Sequence, residues 1–344
     1  MQIEIAENKD HKIWDEIVEN SSQATIFHKW DSLKIMEKYT KIKFFGSSIG
    51  RLIPIIGYIG ENPVAVFPIY YYKGLYSAVF SPPLGTGVTH LGPIIKDYEN
   101  LKQHKRERYL EAFIKAVDGY MSNELNPMTI RIKNAYGMDD PRPFIWLNYK
   151  VKPMYDYLLN INNTNELFQS FKKDVRKSIN ESKKIGLSVR EGKNSEIGPV
   201  WKMIAGRYEQ QEKDFEVPIG LLRDLFSKFP ENFRVFIVEN KNKSLSGLIT
   251  YCFKDTISLW MGNVRSEISG ISPNDFLNWE IFRWASGAGY RKCWYLWAND
   301  KRLCKYKSKY NPELAIYHSA DKDKTFFRYF KSVKKIKNRI RGKV

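Results

Sequence analysis

SPNDFLNWEIFRWASGAGYRKCWYLWANDKRLCKYKSKYNPE, residues 272–313, sets a helix, a strand and a basic aromatic segment in a row. Ser272 or Asn274 is suited to cap the helix and Pro273 to fill its first turn, while Gly287 and Gly289 offer the left-handed exit that L-residues resist. YRKCWYLWAN then has the aromatic content of a buried strand. After it Lys301, Arg302, Lys305, Lys307 and Lys309 alternate with Tyr306 and Tyr310 in what reads as a loop. Cations and ring faces converge there as they do where an anion is bound, although a solvated basic loop has the same composition.

Working back from this stretch, FRVFIVEN, SLSGLITYCF and TISLWMGNV read as three antiparallel strands with turns at 240–243 and 254–255. Before them lie a helix carrying Phe168, Phe171, Val175 and Ile179 up to Gly186, the strand LSVREG, a helix with Val200, Met203, Ile204 and Tyr208, and another over 221–229. LAIYHSA is expected to complete the unit. The first half follows the same order. Helices around Ile13–Val18 and in FHKWDSLKIMEKYT precede strands in KFFGSSIG, LIPIIGYIG and PVAVFPIYYYKG, with a hairpin turn at 60–62. A Pro/Gly-rich walled loop, a helix over 101–121 and the strand TIRIKNA follow. The repeated order predicts an α+β fold of two tandem domains at 1–150 and 151–330, each a mixed, mostly antiparallel sheet flanked by helices, with the linker near Val151 to Asp156 and a basic tail at 331–344.

Composition narrows the function classes. A chain of 344 residues with 43% hydrophobic and 15% aromatic residues can bury two cores. Its formal charge of +18 comes from 56 Lys plus Arg against 38 Asp plus Glu, and seven of the cations lie in the last 14 residues beside Ile336 and Ile340. Such a tail suits an anionic membrane surface or RNA, or is a solvated end. Three cysteines without a CxxC pair indicate neither a disulfide framework nor zinc, which fits a reduced cytoplasm. MQIEIAENKD lacks the pattern of a signal peptide, and LIPIIGYIG is too short to span a bilayer. The expected location is therefore cytoplasmic, with any membrane contact peripheral at the inner face.

Common catalytic constellations are missing: there is no P-loop, HExxH, GxSxG or GxGxxG, and His11, His28, His90, His104 and His318 have no metal spacing. No metal, no tightly bound cofactor and no DNA partner are expected. The stretch KKDVRKSINESKKIG sets Lys172, Lys173, Arg176, Lys177, Lys183 and Lys184 opposite Phe171, Val175 and Ile179, and Arg176 can grip a phosphate bidentately. Charge runs are also common on solvated helix faces. YGMDDPRPFIW offers Asp139, Asp140 and Arg142, as a catalytic acid group or a turn, and RYEQQEK offers Arg207, Tyr208 and Gln211.

Taken in order, FHKWDSLKIMEK at 27–38, the VFSPP loop from Val79, FKKDVRKSINESKKIGLSV from Phe171, the SPNDFLNWEIFRWASGAGY helix and YKSKYNPE at 306–313 resemble the FemAB-like branch of the GNAT acyltransferase superfamily over nearly the whole chain. The resemblance implies two GNAT-like units and transfer of an acyl or aminoacyl group to an amine in a cleft near their junction. Fem-type enzymes take aminoacyl-tRNA as donor and a peptidoglycan precursor as acceptor. Their phosphate-contacting Arg and Lys match Arg176 and Lys307, with Tyr306 alongside. The loop VRSEISGISPND has Arg265 and Gly270 at a spacing unlike the CoA-pyrophosphate loop of acetyl-CoA enzymes, and YLWAND puts Trp297 and Asn299 where the family is more usually small and acidic.

Aminolysis of an activated ester needs a placed, neutral amine and a proton acceptor. Asp275, Asp140 or a substrate phosphate are the candidates for that acceptor, and backbone N–H groups of TISLWMGNV for the oxyanion. Trp260 and Gly262 are assigned to the cleft wall and Trp279 and Trp284 to the core; Arg176, Arg207, Asn299, Tyr306 and Lys307 are the substrate-binding candidates. The expected activity is acyl or aminoacyl transfer to a phosphate-bearing or lipid-linked envelope or glycan precursor, with aminoacyl-tRNA or an acyl-CoA as donor. An acetyl-CoA N-acetyltransferase and a non-catalytic RNA- or membrane-surface-binding protein are the rivals.

Overall fold

Apolar spacing builds most of the first unit in the computed structural model, which describes residues 1–42, 48–74, 77–262, 268 and 270–324. Its elements are β1 (Gln2–Ile5), α1 (His11–Glu19), α2 (Trp30–Tyr39), β2 (Lys41–Ile42), β3 (Ser48–Ile59), β4 (Asn62–Tyr72), β5 (Ala78–Ser81), β6 (Ile94–Ile95), α3 (Gln103–Tyr120), β7 (Thr129–Lys133) and α4 (Arg142–Trp146). Leu110, Phe113, Ile114 and Val117 recur every three or four residues along α3 and are all buried. They meet Ile53, Ile55, Phe67, Ile69, Ile130 and Ile132 from the sheet. β3 and β4 form the expected hairpin, whose turn uses Gly60 at φ +59°. β5 pairs with β7 in parallel, and α3 is the crossover between them.

The second unit comprises β8 (Lys150–Asn160), α5 (Thr164–Ser170), α6 (Lys173–Lys184), β9 (Ser188–Glu191), α7 (Ile197–Glu209), α8 (Ile219–Lys228), β10 (Phe233–Asn240), β11 (Lys243–Phe253), β12 (Thr256–Gly262), α9 (Pro273–Gly287), β13 (Lys292–Tyr295) and α10 (Lys301–Lys307). A last strand, β14 (Glu313–Asp323), closes the described chain. In this unit the sheet order is β8-β13-β12-β11-β10-β9, and in the first it is β1-β3-β4-β5-β7-β14. Both contain one parallel pair spanned by a helix, and antiparallel neighbours elsewhere. The core of the second unit gathers Val175 and Ile179 of α6, Leu277, Ile281 and Phe282 of α9, and Ile257 and Cys293 of the sheet.

Four sequence expectations change. The helix expected through Phe168–Ile179 breaks at Phe171, where the chain turns extended and the Lys172 N–H donates to the Lys309 carbonyl at 2.8 Å. The Lys/Tyr segment is the helix α10 rather than a loop, because Asp300 caps it by accepting the Leu303 N–H at 3.0 Å. LAIYHSA is divided: Leu314–Ile316 end the second unit, which takes 154–316, whereas from Tyr317 the described strand belongs with residues 1–153 to the first, where Ser319–Asp323 of β14 pair with Thr129–Lys133 of β7. The expected linker residues lie within strand β8. Ser272 is the N-cap residue of α9 but makes no side-chain cap bond, Pro273 does open the helix, and Gly289 at φ +91° follows it. Most of KFFGSSIG, Arg265 and the basic tail at 331–344 lie outside the described residues.

Candidate functional site

The site grows from the parallel pair of the second unit. β12 and β13 pair from Thr256 with Lys292 to Leu259 with Tyr295, and the ladder ends there. Beyond it β12 stays with β11: Thr250 faces Leu259 and Ile249 faces Met261, so Trp260 is the extra residue of a β-bulge. The Trp260 ring is buried against Phe233 at 5.8 Å and Tyr251 at 5.9 Å, which makes it a core residue rather than cleft wall. Gly262 lies at φ +147°, and a Cβ there would sit 2.6 Å from the Leu248 Cα, so only glycine lets the strand end run this close to β11.

The other strand leaves in the opposite direction. Buried Asp156 of β8 accepts the Trp297 N–H and, at 3.3 Å, the Ala298 N–H, while the Ala298 N–H also reaches the Tyr155 carbonyl at 3.1 Å. Asn299 clamps the same place, accepting the Tyr155 N–H at 3.0 Å and donating to its carbonyl at 2.8 Å. Both ends of that amide are therefore engaged with backbone, as a strand residue's groups would be. The two parallel strands part, each held by its outer neighbour.

Lys307 sits at the root of this parting. It is only 7% exposed, its Nζ donates to the Leu296 carbonyl, and it lies 4.6 Å from the centre of the Tyr295 ring. Burial lowers its ammonium to about 8 against the pull of Asp156, Cys304 and Asp300. Instead of a solvent-facing phosphate clamp, it is a buried cation beneath a strand end.

Asp275, in the first turn of α9, is also nearly buried, and its Oδ1 accepts the hydroxyls of Tyr310 at 2.7 Å and Tyr306 at 2.9 Å. Asn278, one turn on, donates to Tyr295 at 3.0 Å and Tyr310 at 3.2 Å. Burial first, with the Asp275 charge, pushes all three tyrosines up, so they stay protonated and Tyr306 and Tyr310 remain donors to the carboxylate. Tyr306 is the partly exposed member of this network.

Cations surround the network. The Lys309 Nζ meets Asp174 of α6 at 2.8 Å and Ser178 donates to the Ser272 carbonyl at 3.3 Å, which fixes α6 against both the turn after α10 and the start of α9. Arg176 donates to Gln169 at 3.0 Å, and its Nε is buried without a partner. Lys172, Lys173, Lys177, Lys301, Arg302 and Lys305 are exposed. The C-terminal end of α7 joins them through Arg302, which donates to Gln211 at 3.3 Å, whereas Arg207 donates to Gln210 at 3.2 Å.

Asp140 belongs to the first unit and is described apart from these groups. Its carboxylate takes the Arg142 guanidinium at 2.8 Å through both Nε and Nη2, and Arg142 also reaches Glu107 at 2.7 Å. The Arg142 hydrogen bonds hold Asp140 below the ordinary carboxylate range, and such a stabilised anion is a weak base. Trp279 packs 4.9 Å from Phe168 and Trp284 packs 5.0 Å from Phe236, as core residues do. A groove of about 530 Å³ lies elsewhere on the second unit, beside Val189, Phe236, Arg283 and Trp284, and contains none of the expected site residues. Among the described residues no group of three or more potential ligands could hold a metal ion, and no helix is long and apolar enough to cross a membrane.

The sequence reading gave no role to Asp156, Asn278 or Tyr295, and placed Tyr310 only among the rings of the basic segment. The signal for Asp156 was one acid inside an otherwise strand-like run, and for Asn278 an amide on the buried face of a helix.

Comparison with known proteins bears on the fold. Residues 169–314 match the family described as the acetyltransferase (GNAT) domain. The structure titled FemX shares 12% identity, with a TM-score of 0.69 over 96% of this chain and 99% of that one. A conserved protein of unknown function from Bacteroides thetaiotaomicron shares 13%, with a TM-score of 0.56 over 94% and 100% of the two chains. L-PGS from Bacillus licheniformis shares 12%, with a TM-score of 0.54 over 92% and 93%. No curated protein matches the chain by sequence. At these identities the structural likeness shows the fold alone, and the family match marks the acetyltransferase (GNAT) domain at residues 169–314, within the second unit.

Proposed function

We propose that this chain, of FemAB-like GNAT fold, transfers an activated acyl or aminoacyl group onto an amine of a phosphate-bearing cell-envelope or glycan precursor by direct aminolysis. The observation that carries the reading is the parting of β12 and β13 above buried Lys307, beside the Asp275–Tyr306 pair. A carbonyl entering between the parted strands meets backbone N–H groups at the end of β12, where preorganised donors stabilise a developing oxyanion. Charged Lys307 adds a fixed positive field at low dielectric. The amine loses a proton on attack, the Tyr306 hydroxyl passes it to Asp275, and the same pair returns it to the donor's departing hydroxyl or thiol as the acyl C–O or C–S bond breaks. Arg176, with its unpartnered Nε, and the exposed lysines of α6 and α10 suit the acceptor's phosphates.

The matched family description also supports a simpler activity of the same centre, N-acetylation from acetyl-CoA. Transfer from radiolabelled aminoacyl-tRNA and from acetyl-CoA to an amine-bearing nucleotide-sugar peptide separates the two. Labelled amide from the first donor supports aminoacyl transfer, label from the second alone supports acetylation, and label from neither rejects the enzymatic reading.

A further inference from the structure

Trp297 occupies a conformation that its side chain opposes. Its φ of +72° lies in the left-handed region, where a bulky L-residue crowds its own backbone. Such a state persists only where neighbours over-determine it. Here they do: Asp156 accepts the Trp297 and Ala298 N–H groups, Lys307 donates to the Leu296 carbonyl, Asn299 clamps Tyr155, and the Cys304 thiol donates to the Ala298 carbonyl at 3.3 Å. Packing does not explain the choice of residue. The side chain is 44% exposed and has no ring contact among the described residues, so a glycine would satisfy the backbone at less cost.

The fold thus fixes the backbone from which a half-exposed indole projects at the mouth of the parted strands. The Cys304 bond ties it to α10, whose Lys301, Arg302 and Lys305 are exposed. A half-exposed ring face on a fixed backbone next to exposed cations matches a nucleotide, in which a flat base is joined to phosphate.

We infer that Trp297 is a stacking platform for a nucleobase and that the cations of α10 receive the attached phosphate. The inference rests on the transferase reading above, because acyl-CoA and aminoacyl-tRNA donors both carry a terminal adenosine, while a nucleotide-sugar acceptor carries a base of its own, for which uridine is the probe. The shared chemistry is the nucleotide, and two probes separate the sources.

The full chain labelled with 5-fluorotryptophan is titrated with AMP, UMP and ribose 5-phosphate and followed by fluorine NMR. The resonance missing from Trp297→Phe is expected to shift with AMP for a donor platform or with UMP for an acceptor platform, and to stay still with ribose 5-phosphate. Trp297→Phe keeps affinity within a few-fold, whereas Trp297→Gly binds that nucleotide about ten-fold more weakly or worse, as loss of one base stack requires. A resonance that neither nucleotide moves, an equal shift with ribose 5-phosphate, or wild-type affinity in Trp297→Gly overturns the platform. Because binding is read without turnover, a nucleotide-dependent shift in a protein that transfers nothing sinks the transferase reading and leaves the platform standing.

Discussion

The two units share the order of five successive strands but finish their parallel pairs differently. In the first, β5 and β7 pair up to Ser81 and Ile132, and the chain then laces the gap shut. Leu91 bridges to Asn134, its N–H donates to the Lys133 carbonyl at 3.0 Å, and Ser81 Oγ donates to the Pro68 carbonyl at 2.7 Å while accepting the Gly92 N–H at 3.1 Å. In the second, β12 and β13 part, with Met261 retained by β11 and Trp297 and Ala298 by Asp156 of β8. One fold thus gives a closed strand end and a parted one. The difference is made by a few side chains past the last ladder pair, and the parted end is where a buried lysine, a carboxylate and exposed cations collect.

The comparison breaks most visibly at Lys307. Lys307→Met keeps the length of the side chain but removes the charge, and is expected to lower kcat/KM about 100-fold or more in a steady-state transfer assay, the scale of losing one preorganised oxyanion stabiliser. Cooperative unfolding should survive. The charge also sets a pH limb. Since burial lowers Lys307 to about 8, kcat/KM should fall as pH rises through that value, and Lys307→Arg should move the limb out of range. Stability changes in the other sense. Between about 8 and the ordinary 10.5 the unfolded chain binds a proton that the folded one has released, so wild type gains stability with rising pH relative to Lys307→Met, as urea denaturation would show.

Arg176→Ala tests the cationic rim and should raise KM for a phosphate-bearing acceptor about ten-fold with kcat little changed. Ser81→Ala tests the closed end: losing its two hydrogen bonds should cost about 1–2 kcal/mol of stability by chemical denaturation, with transfer unaffected. The smallest effect belongs to Asp140→Asn, which breaks a partly exposed ion pair and should cost about 1 kcal/mol or less in the same unfolding measurement, with kcat unchanged.

Local pattern made much of this molecule legible. The spacing of α3 and α9, the meander from Phe233 to Gly262 and the hairpin at Gly60 follow from periodicity and turn chemistry. What stayed hidden depends on distant partners. Nothing in LAIYHSA says that its far end is received by β7, since any apolar strand edge would suit its alternation. The Lys/Tyr segment read as a loop because its cations obscured a single capping acid, Asp300. At the site, Lys307 and Asp275 were legible by type and position, but their burial was not. Lys307 is a strand-end cation because Leu296 and Tyr295 close over it, and Asp275 receives two hydroxyls from residues 31 and 35 positions away. Asp156 was read as part of a linker, yet it holds the parted strand in place.

The central claim is that chemistry resides at the parted end of the second unit and depends on Lys307. Single-turnover transfer of a labelled acyl or aminoacyl group to an amine, compared between wild type, Lys307→Met and Ser81→Ala at matched fractions folded, tests it most directly. The account predicts rapid label transfer by wild type and Ser81→Ala and a loss of about 100-fold or more in Lys307→Met. Transfer by Lys307→Met at the wild-type rate would contradict it.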